Sequence, residues 1–139
     1  GEYIENNGIF PQKTNVEIVR IITDSDSDSV TAKKVRNHLE MVVWERGAGL
    51  TQACGTGACA VAYAAILNQV FPPMIDTNAD PNLIEVLVTL PGGDLLIEIE
   101  TTSNAEVVVE VGSNNSNTNT HTIYMTGPAV LINTGIYNI

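Results

Sequence analysis

The chain has 139 residues, 44% of them hydrophobic, with 6 basic and 16 acidic side chains and a formal net charge of −10. That is enough for one domain with a real core, too short for two, and too apolar for disorder. So acidic a chain repels nucleic acid and anionic membrane, and no apolar run reaches the roughly 18 residues needed to cross a bilayer.

Glu2-Tyr3-Ile4 reads as strand at once, with no start methionine and no leader, so an upstream portion is expected. Phe10-Pro11 marks a turn, and the alternating, β-branched Asn15 to Ile22 is a strand. Asp24 to Ser29 is a polar loop; as an EF-hand it fails, with Ser29 where glycine belongs and Val35 where glutamate belongs. Leu39 to Glu45 is the next strand. Gly57 to Leu67 is apolar nearly all round, which predicts a buried helix, and Pro72-Pro73 forbids its continuation. Residues 76–82 form a polar loop. Ile84 to Leu90 and Leu95 to Glu100 alternate about Pro91-Gly92-Gly93-Asp94, a hairpin pattern. Val107 to Val111 is a strand, Ser113 to Thr120 a loop, and Ile123 to Thr126 and Ala129 to Ile132 are closing strands. The fold class expected is α+β: one buried central helix wrapped by antiparallel strands.

The chemistry concentrates in residues 44–60, Trp-Glu-Arg-Gly-Ala-Gly-Leu-Thr-Gln-Ala-Cys-Gly-Thr-Gly-Ala-Cys-Ala. Cys54 sits in a glycine-rich turn that runs straight into the helix. Unpaired N–H groups and the helix dipole at such a position favour a thiolate, and the same N–H groups can seat a carboxylate. Gly55, Thr56 and Gly57 are the donors in question, and Thr56 is also a candidate N-cap. Cys59 follows five residues later, about 140° round a helix, so it cannot serve the same carbon from its other side and reads as packing. The two cysteines make no zinc site, since only His38 and His121 could join them and neither has matching spacing. Nor do they make a disulfide framework, which points to a reducing cytoplasm. Glu45 and Arg46 could be a surface ion pair or a substrate clamp; Asn15 alone is only a strand residue.

These pieces together resemble the carboxy-terminal part of the diaminopimelate epimerase family. The resemblance runs through Phe10-Pro11, Thr14-Asn15-Val16, Trp44-Glu45-Arg46-Gly47-Ala48-Gly49, Ala53-Cys54-Gly55-Thr56-Gly57-Ala58-Cys59-Ala60, Leu90-Pro91-Gly92-Gly93 and Tyr124-Met125-Thr126-Gly127-Pro128-Ala129, in family order. Cys-Gly-Thr-Gly alone is also similar to proline racemases; the Trp-Glu-Arg-Gly-x-Gly lead-in separates the two.

What the resemblance implies is a pseudo-symmetric enzyme of two halves, each a central helix cupped by antiparallel strands, with the active site between them. Residues 1–127 would be the second half lacking its opening strands, and 128–139 a closing strand packed on the absent first half. The implied reaction is cofactor-independent, metal-free inversion of LL-diaminopimelate to the meso form, a step of lysine and peptidoglycan precursor synthesis, by two cysteines acting as thiolate and thiol. Cys54 would be one of them. Gly55 and Thr56 would hold the reacting carboxylate, Arg46 the distal one, and Glu45 an ammonium, with Asn15 also on the substrate. The partners implied are the missing amino-terminal half and the small substrate, with a homodimer open to it. Departures are Leu50 where the family usually has Glu, Ile4-Glu5-Asn6-Asn7 where histidine is frequent, and a chain about half the family length. Two other readings stand beside this one. A racemase or epimerase of another small amino or hydroxy acid would be separated by substrate screening. A non-catalytic binding module predicts no rate even with every upstream residue restored.

Overall fold

The computed structural model describes residues 1–23, 37–71, 80, 82–101 and 121–129. In these the chain forms α1 (Glu2–Glu5), β1 (Val16–Ile22), β2 (His38–Glu45), β3 (Gly49–Thr51), α2 (Gly55–Leu67), β4 (Leu83–Leu90), β5 (Gly93–Thr101) and β6 (His121–Thr126). The expected elements at 24–29, 107–111, 113–120 and 130–132, most of 76–82, and the closing segment from 130 fall outside the described residues.

Five strands run β1-β2-β4-β5-β6 across one sheet, with β3 as a short extra strand on β2. Alternation decides which side each residue takes, because directly paired residues share a face. Glu17 pairs with Val43, Leu39 with Val88, Val86 with Ile97 and Ile97 with Met125. Leu39, Met41, Val43, Val86, Val88, Leu90, Ile97 and Ile99 therefore line one face, and all are buried. α2 lies on that face and touches β1, β2, β4, β5 and β6. It turns Gly57, Ala58, Ala62 and Ala65 inward. Small side chains let the helix approach closely, and the strands supply the bulk of the core volume.

An α+β architecture is what the sequence predicts, but β3 is an additional strand, and α2 is not wrapped by strands: it packs on the sheet by one side, with Thr56, Ala60 and Ala64 exposed. Three further features differ in detail. First, the strands are not all antiparallel: β2 and β4 pair in parallel. Parallel neighbours need a long crossover, and α2 is the helix inside the one that joins them. Second, Glu2-Tyr3-Ile4 is not strand but a single helical turn. Gly1 O accepts from the amides of Ile4 and Glu5 at 3.0 and 2.9 Å, and tertiary bonds to the Glu5 side chain override the strand propensity of Tyr and Ile. Third, the long helix begins at Gly55, two residues before its apolar run. The hairpin between β4 and β5 is as expected: Leu90 pairs with Gly93, leaving Pro91-Gly92 as its tip.

Candidate active site

Cys54 caps α2. Its backbone is extended (φ −146°, ψ 104°), and its Sγ accepts the Gly57 amide at 3.4 Å with the Thr56 hydroxyl 3.5 Å away. The first intrahelical bond, Ala58 N to Cys54 O, is 2.9 Å. Thr56, a candidate N-cap on sequence, is thus inside the first turn, and the cysteine takes the capping place itself. A thiol sulfur in the role ordinarily held by a Ser or Asp oxygen lies where helix N–H groups converge. The Gly57 amide is occupied by Sγ. First-turn amides have no carbonyl partner within their helix, so those of Gly55 and Thr56 point outward from the cap. Cys54 is 8% exposed.

Two contacts hold the loop before Cys54. Thr51 Oγ1 donates to Glu45 Oε1 at 2.5 Å, tying the loop to the end of β2. Gly92 N donates to Gln52 O at 2.8 Å, tying it to the β4–β5 hairpin tip. A Cβ on Gly92 would stand 2.9 Å from that same carbonyl. The Leu-Pro-Gly-Gly stretch therefore serves the thiol loop as well as the hairpin, a role its turn chemistry alone does not disclose.

Asn15 and Arg46, far apart in sequence, meet. Arg46 N donates to Asn15 Oδ1 at 2.8 Å, and its Nη1 to Gln12 O at 3.2 Å. Glu45 is half-buried and shares the inner face with Val43, two residues before it. Of the six expected site residues, Cys54, Gly55 and Thr56 form one cluster and Asn15 and Arg46 another, with Glu45 bonded to Thr51 between them in sequence.

Sequence reasoning missed two carboxylates. Glu17, at the start of β1, points to the inner face. A Cβ on Gly57 would lie 2.9 Å from Glu17 Oε1 and 3.3 Å from Cys54 Sγ, so the carboxylate and the sulfur flank the same glycine. Its signal is an acid on the strand face that also carries Val19 and Ile21, obscured by Arg20 and by apolar residues on both faces of β1. Glu5 is the second. It is 4% exposed and accepts from Trp44 Nε1 at 2.8 Å and Gly47 N at 2.9 Å, with Lys13 Nζ 3.5 Å away. The indole bond, and after it the Gly47 amide, hold its carboxyl below the ordinary 4.5 against the opposing pull of burial. Cys59 behaves as a packing residue: it lies against the core, and burial pushes its thiol above the usual 9.0.

The family model for diaminopimelate epimerase matches residues 1–117. This chain belongs to the diaminopimelate epimerase family. Among curated relatives named diaminopimelate epimerase, the Rippkaea orientalis protein is 37% identical over 139 residues, covering 100% of this chain and 35% of its own length. That of Elusimicrobium minutum is 38% identical over 137 residues, 99% of this chain and 35% of its own. That of Desulfitobacterium hafniense is 40% identical over 136 residues, 98% of this chain and 34% of its own. The chain spans about a third of the length of these diaminopimelate epimerases, a smaller share than the half that the resemblance implies. No helix among the described residues is long and apolar enough to cross a membrane.

Proposed function

We propose that this chain supplies one half-site of a cofactor-independent diaminopimelate epimerase acting in the cytoplasm, as an incomplete carboxy-terminal half of a pseudo-symmetric enzyme. The observation that carries the reading is Cys54 as the cap of α2, its sulfur bonded to the Gly57 amide. Inverting an amino-acid α-carbon requires a proton to leave one face and another to arrive on the opposite face, hence two acid/base groups. Cys54 serves one face. Cys59 cannot serve the other, so the second thiol comes from the amino-terminal half. In the thiolate state the sulfur takes the α-proton; in the thiol state it returns one.

The α-carbon is acidified by holding its carboxylate where negative charge develops, and the amides of Gly55 and Thr56 are the donors aligned for that. Glu45, an acid at the end of an inward-facing strand, suits the ammonium. Arg46 suits the distal carboxylate, which a guanidinium can bind through two parallel bonds. Asn15 fixes the Arg46 backbone and so orients that clamp. Replacing Cys54 with Ser in the intact protein is expected to lower epimerisation by at least about 10²-fold, the lower bound for a positioned acid/base group, with circular dichroism unchanged. Near-normal turnover in that variant overturns the reading. Screening the intact enzyme against other small amino and hydroxy acids identifies its substrate among these.

A further inference from the structure

Glu5 is a buried carboxylate that the reaction does not touch, yet its bonds fall on both sides of the Glu45-Arg46 pair. Oε2 takes the indole N–H of Trp44, the residue before the pair, and Oε1 takes the amide of Gly47, the residue after it. The turn between them closes through Ala48 N to Glu45 O at 3.0 Å, with Gly47 in the left-handed region at φ +77°. Arg46 itself is pinned by its own amide to Asn15 and by Nη1 to Gln12 O. The Arg46 backbone is thus fixed from before, after and beside. A buried carboxylate is costly unless its oxygens are satisfied. Here they receive an indole, an amide and, at 3.5 Å, the Lys13 ammonium.

We infer that Glu5 is a positioning residue for Arg46: by clamping residues 44 and 47 it sets the guanidinium in place for the distal carboxylate of the substrate. This rests on the diaminopimelate epimerase reading above. The chemistry makes the charge necessary. A carboxylate accepts at both oxygens, whereas the amide of Gln presents an acceptor to one donor and an NH2 to the other. Glu5→Gln therefore keeps the size of the side chain and breaks one jaw of the clamp.

The test is steady-state kinetics with diaminopimelate on the intact enzyme. Glu5→Gln is expected to raise KM about tenfold or more with kcat within about threefold, the pattern of lost substrate binding rather than lost chemistry. Combined with Arg46→Lys, the effects should not add: once the guanidinium is gone, losing its support changes KM by no more than about threefold. Trp44→Phe removes the indole donor alone and should raise KM in the same direction, which keeps the test in hand if Glu5→Gln does not fold. An unchanged KM, a fall in kcat with KM constant, or fully additive effects with Arg46→Lys overturns the inference. Cys54→Ser is run alongside. If it turns over normally, the epimerase reading fails and takes this inference with it; if it is inactive while Glu5→Gln is normal, only this inference fails.

Discussion

The sulfur of Cys54 sits between influences of opposite sign. The Gly57 amide and the end of α2 offer positive potential, while Glu17 brings a carboxylate against the same glycine. Gly57 is what lets both approach. A methyl group there would lie 2.9 Å from Glu17 Oε1 and 3.3 Å from Sγ, and one of them must move. Gly57→Ala pits two effects against each other. Alanine favours a helix over glycine by about 1 kcal/mol, which offsets much of the clash, because a glutamate side chain can swing aside. Stability is therefore expected to change by less than about 1 kcal/mol, while kcat falls about tenfold or more as the thiol is displaced. Urea unfolding and steady-state rates on the same preparation check it. A variant of normal kcat would show that this crowding has no bearing on the thiol.

Among the elements, the β4–β5 hairpin does more than turn the chain. Its tip amide, Gly92 N, holds Gln52 O two residues before Cys54. Here the neighbour of an added Cβ is backbone, at 2.9 Å from oxygen and 3.3 Å from carbon, so nothing swings away cheaply. Gly92→Ala is expected to cost about 1–3 kcal/mol, the range for forced overpacking, and to lower kcat with it. A urea midpoint equal to wild type would count against the clasp. The same contact shows where sequence reading reaches its limit. Strand alternation, the Pro-Gly tip and the cysteine at a helix start are local patterns, and β1, β2, β4, β5, β6 and α2 were legible from them. The helical turn α1 was not, because Tyr3 and Ile4 have strand propensity and only long-range bonds to Glu5 overrule it. The parallel β2–β4 pairing was not either, since periodicity says which face a strand buries and not which neighbour it takes. Gly92 to Gln52, Asn15 to Arg46 and Glu5 to Trp44 are likewise meetings of distant residues that no local pattern encodes.

At the scale of the whole molecule, the sheet brings opposite edges to one end of the helix. Gly55 abuts Met125 of β6, and Gly57 abuts Glu17 of β1. The outer face carries exposed Ile18 and Val42, and the inner face carries Glu17, beside Gly57 of the cap, and Glu45, bonded to Thr51. Acidification acts on such a chain in two ways. With a formal charge of −10, protonating surface carboxylates relieves self-repulsion and favours the compact state. Glu5 acts in the opposite direction. Its folded carboxyl is held below the 4.5 it has when unfolded, so below that value the unfolded chain binds the extra proton. Its contribution is fully present above about pH 4.5 and is lost as pH falls through the lower, folded value. Glu5→Gln has no such proton to bind. Wild type should therefore be more stable than Glu5→Gln near neutral pH, and the gap should narrow steadily below pH 4.5. Denaturant unfolding of both proteins over that range measures the gap directly, because the self-repulsion of the other carboxylates is common to the two. A gap independent of pH would mean that Trp44 and Gly47 do not distinguish the charged carboxylate from its neutral form.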